Sequence, residues 1–183
     1  NPLNALVNNA AVSPKTSFKE RLGVLNGDID SWRQVFELNF FTPLSLARGF
    51  AQALGRGAKG TGGAIVNITS IAGHRGFPEH LCYAASKAGL EGASRVMAKE
   101  FGPHGIRVNC IAPGPVATKL FKGNHPDGSK ELESVLASIP LRRVADPMEI
   151  AGPIAFLLSP AASYVNGQTL YVCGGGSIGH SPI

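Results

Sequence analysis

An alternation of short apolar runs with segments of helical periodicity constrains the fold of this chain more than any other feature. The short runs are rich in branched side chains and end at polar or turn-forming residues, which is typical of buried strands. Four such runs occur, at residues 3–7, 64–68, 106–112 and 169–172. Strands that alternate with helices predict an α/β fold, with a parallel sheet covered by helices on both faces.

The segments between these runs carry apolar residues at helical spacing. The first is predicted to begin at Asp30, a candidate N-cap, and to end where Gly55 and Gly57 interrupt the pattern. Two further helices are predicted over residues 81–101 and 147–158. Residues 115–140 mix proline, glycine and charge, which predicts a loop containing a short helix at 131–138.

Length and composition set limits on the class of protein. A chain of 183 residues has the size of one domain. It contains no apolar stretch long enough to span a membrane, and a cytoplasmic location is the default. The net charge of +5 favours a solvated basic face over a site for a phosphate-bearing ligand or an acidic partner, because the basic residues are not clustered on one helix. Nucleic-acid binding is not supported. Neither the cysteines nor the histidines have the spacing of a metal site, so we expect no metal.

Two reactive side chains share one face of the predicted helix 81–101. Tyr83 and Lys87 are four residues apart, so they project from one side of the helix. An ammonium lowers the pKa of a neighbouring phenol, which would suit Tyr83 to general acid–base catalysis. An exposed helix pair has the same spacing, but Ser70 follows a predicted strand at the end where parallel sheets bind ligands. Its hydroxyl could hold a substrate oxygen beside Tyr83.

A glycine-containing turn follows the third predicted strand, at residues 113–118. Gly114 has no side chain and would let the backbone approach a flat ligand closely. An ordinary structural turn explains the same residues equally well. The ligand interpretation and the structural one therefore remain open for this turn.

Four segments carry a resemblance to a known family. They are residues 8–11 (Asn-Asn-Ala-Ala), 65–70, the Tyr-Ala-Ala-Ser-Lys segment 83–87, and 107–114. In this order they resemble the classical short-chain dehydrogenases/reductases, and the similarity extends to 139–143 and to Gly174 and Gly175. The resemblance implies a Rossmann-like doubly wound parallel sheet in three layers, α/β/α. Residues 1–183 would form a single domain of this type, representing its C-terminal portion.

The resemblance implies an oxidoreductase that transfers hydride between NAD or NADP and a ketone or secondary alcohol. Tyr83 would donate or accept the proton. Lys87 would lower the Tyr83 pKa and hydrogen-bond the nicotinamide ribose, while Ser70 would orient the substrate oxygen. Asn39 matches the family's helix asparagine, which holds a water in a proton relay.

The same resemblance implies a set of cofactor-binding residues. Asn9 and Ala10 would line the adenosine-ribose side, and Thr118 would lie near the carboxamide or the phosphates. The residues expected to frame the nicotinamide, besides Tyr83 and Lys87, are Ile68, Pro113, Gly114, Val116 and Thr118. Residues 118–140 resemble the family's variable substrate lid, whose sequence identifies no particular ketone or alcohol.

Three departures from the family pattern are visible. Ala11 replaces a glycine, Cys173 replaces an aspartate, and the glycine-rich phosphate loop of the family is not found. The glycines at 57–63 follow a helix and precede a strand, which is the reverse of a phosphate-binding loop. We therefore expect an N-terminally truncated domain, whose strand 3–7 is an exposed edge and which binds cofactor poorly alone.

Other functions fit the sequence less well. Ser70 and His74 could suggest a serine hydrolase, but the G-x-S-x-G motif and an obvious carboxylate partner are both missing. A non-catalytic truncated protein or subunit of the same fold remains the alternative. The two long helices resemble the family's subunit interface, so we expect a homotetramer or a homodimer.

Overall fold

The computed structural model describes residues 3–13, 15–17, 20–21, 23–55 and 62–178. The strands are β1 (Ala5–Asn8), β2 (Lys15–Ser17), β3 (Glu20–Arg21), β4 (Gly63–Ile68), β5 (Ile106–Pro113) and β6 (Thr169–Val172). The α-helices are α1 (Ile29–Phe36), α2 (Thr42–Gly55), α3 (Ile71–Arg75), α4 (Leu81–Phe101), α5 (Lys119–Asn124), α6 (Lys130–Ala137) and α7 (Pro147–Leu158).

The centre of the fold is a four-stranded parallel sheet with the order β1-β4-β5-β6. The sheet confirms the predicted α/β class, and its parallel strands bring their carboxyl ends to one edge. In the part of the chain that the structure describes, β1 pairs with β4 alone and forms one edge of the sheet. The strands β2 and β3 form a separate antiparallel pair.

Two apolar cores cover the two faces of the sheet. Neighbouring residues of β4 point to opposite sides, so Ile65 enters one core and Val66 the other. Helices α2 and α4 pack on the first side, and α7 packs on the second. The first core contains Ala47, Phe50, Ile65, Met97, Ala98, Ile106 and Val108. The second contains Val66, Ile68, Ile111, Ile150, Leu157 and Ala162.

The first helical segment differs from its prediction at both its start and its middle. The N-cap is Asp28, whose carboxylate accepts the Ser31 N–H at 2.9 Å, whereas Asp30 forms an ion pair with Arg33. A π-helical turn at Glu37–Phe41 separates α1 from α2. Pro43 has no N–H to donate to the carbonyl four residues before it, which disfavours an uninterrupted α-helix here. The predicted stop at Gly57 lies outside the described residues.

The predicted lid region contains two short helices rather than one. The expected helix is α6, and its N-cap is Ser129, whose hydroxyl accepts the Leu132 N–H at 3.1 Å. The additional helix, α5, has only six residues and begins after Thr118. So short a helix shows no apolar periodicity, which explains why the sequence predicted a loop here.

Two broader properties concern the described ranges as a whole. None of the helices found there combines the length and the apolar character that crossing a membrane requires. Within the same ranges, no three histidine, cysteine, aspartate or glutamate side chains come together as a metal site would need.

Candidate active site

The predicted site residues gather along one edge of the sheet. Asn9 follows β1, Ser70 follows β4 and Gly114 follows β5, and these three strands are neighbours in the sheet. Helix α4 runs back over the same region and carries Tyr83 and Lys87 near its beginning. The fold therefore brings residues that are distant in sequence to a shared edge, where ligands of parallel sheets bind.

Ser70 lies at the junction between β4 and α3. It is the N-cap of α3, and its hydroxyl oxygen accepts the Ala72 N–H at 3.1 Å. A hydrogen bond between the Ser70 side chain and Tyr83 lowers the pKa of the phenol. The Ala72 N–H thus fixes the position of the Ser70 oxygen, close enough to Tyr83 to affect the pKa of the phenol.

The net pKa of Tyr83 nevertheless differs from the sequence expectation. Burial raises the Tyr83 pKa above its ordinary value and outweighs the hydrogen bond from Ser70. The Lys87 Nζ lies 5.7 Å from the centre of the Tyr83 ring. The predicted lowering by Lys87 is therefore not found in the structure, because loss of solvent around the phenol dominates.

Lys87 is itself buried, with a side chain only 2% exposed. Its ammonium donates a hydrogen bond to the Ile68 carbonyl at 2.7 Å. Burial lowers the Lys87 pKa from 10.5 to about 8, since water no longer solvates the charged form. The bond to Ile68 connects α4 directly to the end of β4.

Asn39 occupies the π-helical turn and is fully buried. Its Oδ1 accepts the Val12 N–H at 2.8 Å, and its Nδ2 donates to the Val12 carbonyl at 2.8 Å. The same Nδ2 donates to the Ser86 hydroxyl at 3.2 Å. Both amide protons are therefore engaged, and the side chain holds the segment after β1 against α4. The part of Asn39 in a proton relay through a water stays a prediction.

The predicted cofactor residues have different surroundings. Asn9 and Ala10 are exposed beyond the end of β1, whereas Ile68 is buried at the end of β4. Pro113 is the last residue of β5 and is half-buried. These residues lie along the same edge as Ser70.

The turn after β5 has a structural role that the sequence left open. A Cβ on Gly114 would lie 2.9 Å from the Cys173 Cα, so the glycine allows this turn to pack against the segment after β6. Val116 forms an isolated bridge with Ala145. Thr118 caps α5, and its hydroxyl oxygen accepts the Phe121 N–H at 3.2 Å. These contacts give the turn at Gly114 a structural role, and its contact with a flat ligand stays a prediction.

Sequence reasoning missed a network of buried polar side chains beneath this edge. Asn8 Nδ2 donates to Asn67 Oδ1 at 2.7 Å, and Asn67 Nδ2 donates to the Ser94 hydroxyl at 2.8 Å. Thr69 donates its hydroxyl to Glu91 Oε1 at 3.1 Å. The four-residue interval from Tyr83 through Lys87 leads next to Glu91, and this repeat is the signal that could have identified it.

His74 does not form the pair with Ser70 that a serine hydrolase would need. Its ring packs edge-to-face on Tyr171, with the ring centres 5.3 Å apart. The Ser70 hydroxyl instead contacts the Ala72 N–H and Tyr83. The arrangement thus favours an acid–base site at Tyr83 over a serine nucleophile.

Comparison with known sequences identifies the family. Residues 1–177 match the family described as enoyl-(acyl carrier protein) reductase. Protein FixR of Bradyrhizobium diazoefficiens is 47% identical over 175 residues, which are 95% of this chain and 59% of that protein. A 3-oxoacyl-[acyl-carrier-protein] reductase of Synechocystis is 36% identical over 94% of this chain and 64% of its own length. The chain spans 59–66% of these and similar curated relatives.

Solved structures agree with this result. A short chain dehydrogenase/reductase family protein is 39% identical, with a TM-score of 0.83 over 97% of this chain and 68% of that one. A 4-hydroxyisoleucine dehydrogenase mutant complexed with NADH and succinate has a TM-score of 0.88, with 31% identity over 99% of this chain and 71% of that one. The chain belongs to the short-chain dehydrogenase/reductase family, and its fold matches that family's Rossmann fold.

Proposed function

We propose that this chain carries the catalytic portion of an oxidoreductase that transfers hydride between NAD or NADP and a ketone or secondary alcohol. The observation that carries the proposal is the placement of Ser70 at the end of β4, beside the start of α4, with Tyr83 and Lys87 one turn apart on that helix. The Lys87 ammonium binds the carbonyl of Ile68, the last residue of β4, which joins the helix to this strand end. Family membership supports the same reaction class. The cytoplasmic location expected from the sequence belongs to this proposal.

Tyr83 is the proposed proton donor when a carbonyl is reduced. Its raised pKa keeps the phenol protonated near neutral pH, which is the form that can donate to a substrate oxygen. The Ser70 hydroxyl donates a second hydrogen bond to the same oxygen and stabilises the charge that develops on it. In alcohol oxidation the proton returns to the Tyr83 oxygen.

The donor set at this edge fits a nicotinamide cofactor. An ammonium has three N–H donors, and the Ile68 carbonyl accepts one from Lys87, so two remain for the hydroxyls of a ribose. Asn9 and Ala10 are exposed at the neighbouring strand end and would serve the adenosine side. When bound, the nicotinamide supplies or accepts the hydride. Two solved relatives are described with NADP and with NADH.

The substrate class follows from the chemistry of the site and from the relatives. Ser70 and Tyr83 would both hydrogen-bond to one substrate oxygen, as a ketone or a secondary alcohol provides. Among the relatives are 3-oxoacyl-[acyl-carrier-protein] reductases, a trans-4-hydroxycyclohexanecarboxylate dehydrogenase and an acetoin dehydrogenase. A 3-oxoacyl thioester, a hydroxycyclohexane carboxylate and acetoin therefore form a suitable test panel.

Replacing Tyr83 by phenylalanine tests the proposal directly. Tyr83→Phe removes the proton donor and should lower kcat on any active member of the panel by about 10²–10⁴-fold. Tyr164→Phe is the matched control, because Tyr164 is fully exposed, and its activity should equal that of the original chain. Turnover is followed through NADH or NADPH absorbance.

Two outcomes would contradict the proposal. Full activity in Tyr83→Phe would show that another group supplies the proton. If the unsubstituted chain binds NADH or NADPH saturably but turns over no member of the panel, a non-catalytic protein or subunit of the same fold would be favoured.

A further inference from the structure

Glu91 continues the row of polar side chains that begins with Tyr83 and Lys87 on α4. The three residues follow one another at intervals of four, so they share one face of the helix over two turns. Glu91 is only 9% exposed. A buried carboxyl group is costly unless it has partners, so its contacts indicate why it is there.

The hydrogen-bond partner of Glu91 is the residue directly before Ser70. Thr69 donates its hydroxyl to Glu91 Oε1 at 3.1 Å, and the same hydroxyl lies 3.1 Å from the Ile111 carbonyl. The Thr69 N–H also donates to Ile111, at 2.7 Å. Thr69 is therefore held by the neighbouring strand β5 on one side and by α4 on the other.

Helix α4 thus contacts two consecutive residues at the end of β4. Lys87 binds the Ile68 carbonyl, and Glu91 binds the Thr69 hydroxyl. Two contacts one helical turn apart fix the helix against translation along the strand and against rotation about its own axis. Because Tyr83 is on this helix and Ser70 follows Thr69, the same contacts set the distance between their hydroxyl groups.

We propose that Glu91 is a positioning residue, which holds Ser70 in hydrogen-bonding range of Tyr83 by tethering Thr69 to α4. The inference rests on the proposed function of Ser70 and Tyr83, and adds a residue that does not touch the substrate. Such supporting contacts matter because acid–base groups act only when they are held in the productive geometry.

The tether depends on the ionisation of Glu91. An ionised carboxylate only accepts hydrogen bonds, so the Thr69 hydroxyl must donate to it, whereas a protonated carboxyl can itself donate and leaves that hydroxyl free for Ile111. Burial raises the Glu91 pKa, and the bond from Thr69 opposes this effect. The charged or titratable groups that face Glu91 come from four elements, and they are His74, Arg95, Cys110 and Tyr171.

Tyrosine titration tests the proposal without requiring turnover. The chain has three tyrosines, so 13C labelling at Cζ gives three resonances whose pKa values can be followed by NMR. In Glu91→Leu and in Thr69→Val, loss of the tether should weaken the hydrogen bond from Ser70. The Tyr83 pKa should then rise further, by roughly half to one unit.

The direction in which the Tyr83 pKa changes shows whether Glu91 acts by positioning Ser70 or only through its charge. Removing a nearby negative charge stabilises a phenolate, so a purely through-space effect of Glu91→Leu would lower the Tyr83 pKa. Tyr171 supplies the internal reference, because burial and then the Glu91 carboxylate raise its pKa, and removing the carboxylate should lower it. Thr69→Ser keeps the hydroxyl and should leave the Tyr83 pKa where it is.

A second measurement avoids both titration and the loss of a buried carboxyl group. In a crystal structure of Thr69→Val, the distance from Ser70 Oγ to Tyr83 Oη should be longer than in the unsubstituted chain. In Thr69→Ser it should equal the distance in the unsubstituted chain. An unchanged distance and an unchanged or lowered Tyr83 pKa in Thr69→Val would overturn the proposal, whether or not the chain proves to be active.

Discussion

At the scale of single residues, burial controls the chemistry of Lys87. The side chain is enclosed between α4 and the end of β4, and within the described part of the chain its hydrogen-bond acceptor is a backbone carbonyl. A carbonyl dipole stabilises an ammonium less well than water or a carboxylate does. The neutral amine of Lys87 is therefore favoured more than it is in water. The Lys87 ammonium is thus available to a ligand at the cost of some folding stability.

This cost predicts a pH dependence of stability. The Lys87 pKa is 10.5 in the unfolded reference and about 8 in the folded chain, so between these values the unfolded chain binds more protons. The free energy of unfolding should therefore rise with pH through this window, by about 3 kcal/mol. Urea unfolding at pH 7.5 and pH 10.5 measures the rise.

Lys87→Met provides the comparison for that measurement. Other groups titrate equally in both chains, so subtracting the curve of the variant isolates the contribution of Lys87. If the free energy of unfolding rises equally with pH in both chains, folding does not lower the Lys87 pKa.

Gly114 supports a prediction about packing. The Cβ in Gly114→Ala would meet the backbone of Cys173, which cannot move away as a flexible side chain could. We expect a destabilisation of about 1–3 kcal/mol by thermal unfolding. Gly49→Ala is the opposite control, because Gly49 lies within α2 with nothing within 4 Å, and alanine there should stabilise by up to about 1 kcal/mol. Equal stability of the two variants would contradict this account.

At the scale of elements, the π-helical turn determines which groups Asn39 can reach. Asn39→Ala would leave the Val12 N–H and carbonyl without their side-chain partner, at a cost of about 1–3 kcal/mol. Amide exchange at Val12 should become faster, because this backbone loses its link to the helix. Gln34→Ala, on the exposed side of α1, should leave both stability and exchange unchanged.

The sequence predicted those elements whose patterns extend over several residues. The bounds of α4, α7 and β6 agree with their predictions, and β4 and β5 each extend one residue beyond theirs. The pair β2 and β3 and the helix α3 were missed. Each has five residues or fewer, so tertiary contacts and caps such as Ser70 determine their structure rather than periodicity.

The sequence predicted the main residues of the candidate site but not the surroundings that tune them. Ser70, Tyr83 and Lys87 follow from strand ends and from a four-residue interval, and the structure brings them together. The direction of the Tyr83 pKa was missed, because burial depends on the whole packed environment and leaves no mark on local spacing. The contact between Glu91 and Thr69 was missed because a polar residue of α4 is expected to face solvent until the sheet is in place, and because the two residues lie on different elements.

At the scale of the whole molecule, the outer side of the helical layer carries exposed apolar groups. Leu46 of α2 is 51% exposed and Val96 of α4 is 53% exposed, and both helices cover the same face of the sheet. We propose that these groups lie between helical layers in the homotetramer or homodimer expected from the resemblance.

Introducing charged side chains at this surface tests the proposed assembly. Leu46→Glu and Val96→Glu together should lower the molar mass measured by light scattering to that of a monomer. Folding should persist, because neither side chain is buried. A monomeric mass for the unsubstituted chain would contradict the proposal.

The position of β1 at the edge of the sheet determines how a further parallel strand could be added. A parallel neighbour cannot be joined by a tight hairpin and needs a crossover, usually through a helix that lies on one face. Val7 is paired with Val66, so it points to the side covered by α7, yet it remains 39% exposed. A βα unit joining at β1 could therefore shield Val7 with its helix, and would continue the row of strand ends on which Asn9 and Ser70 lie.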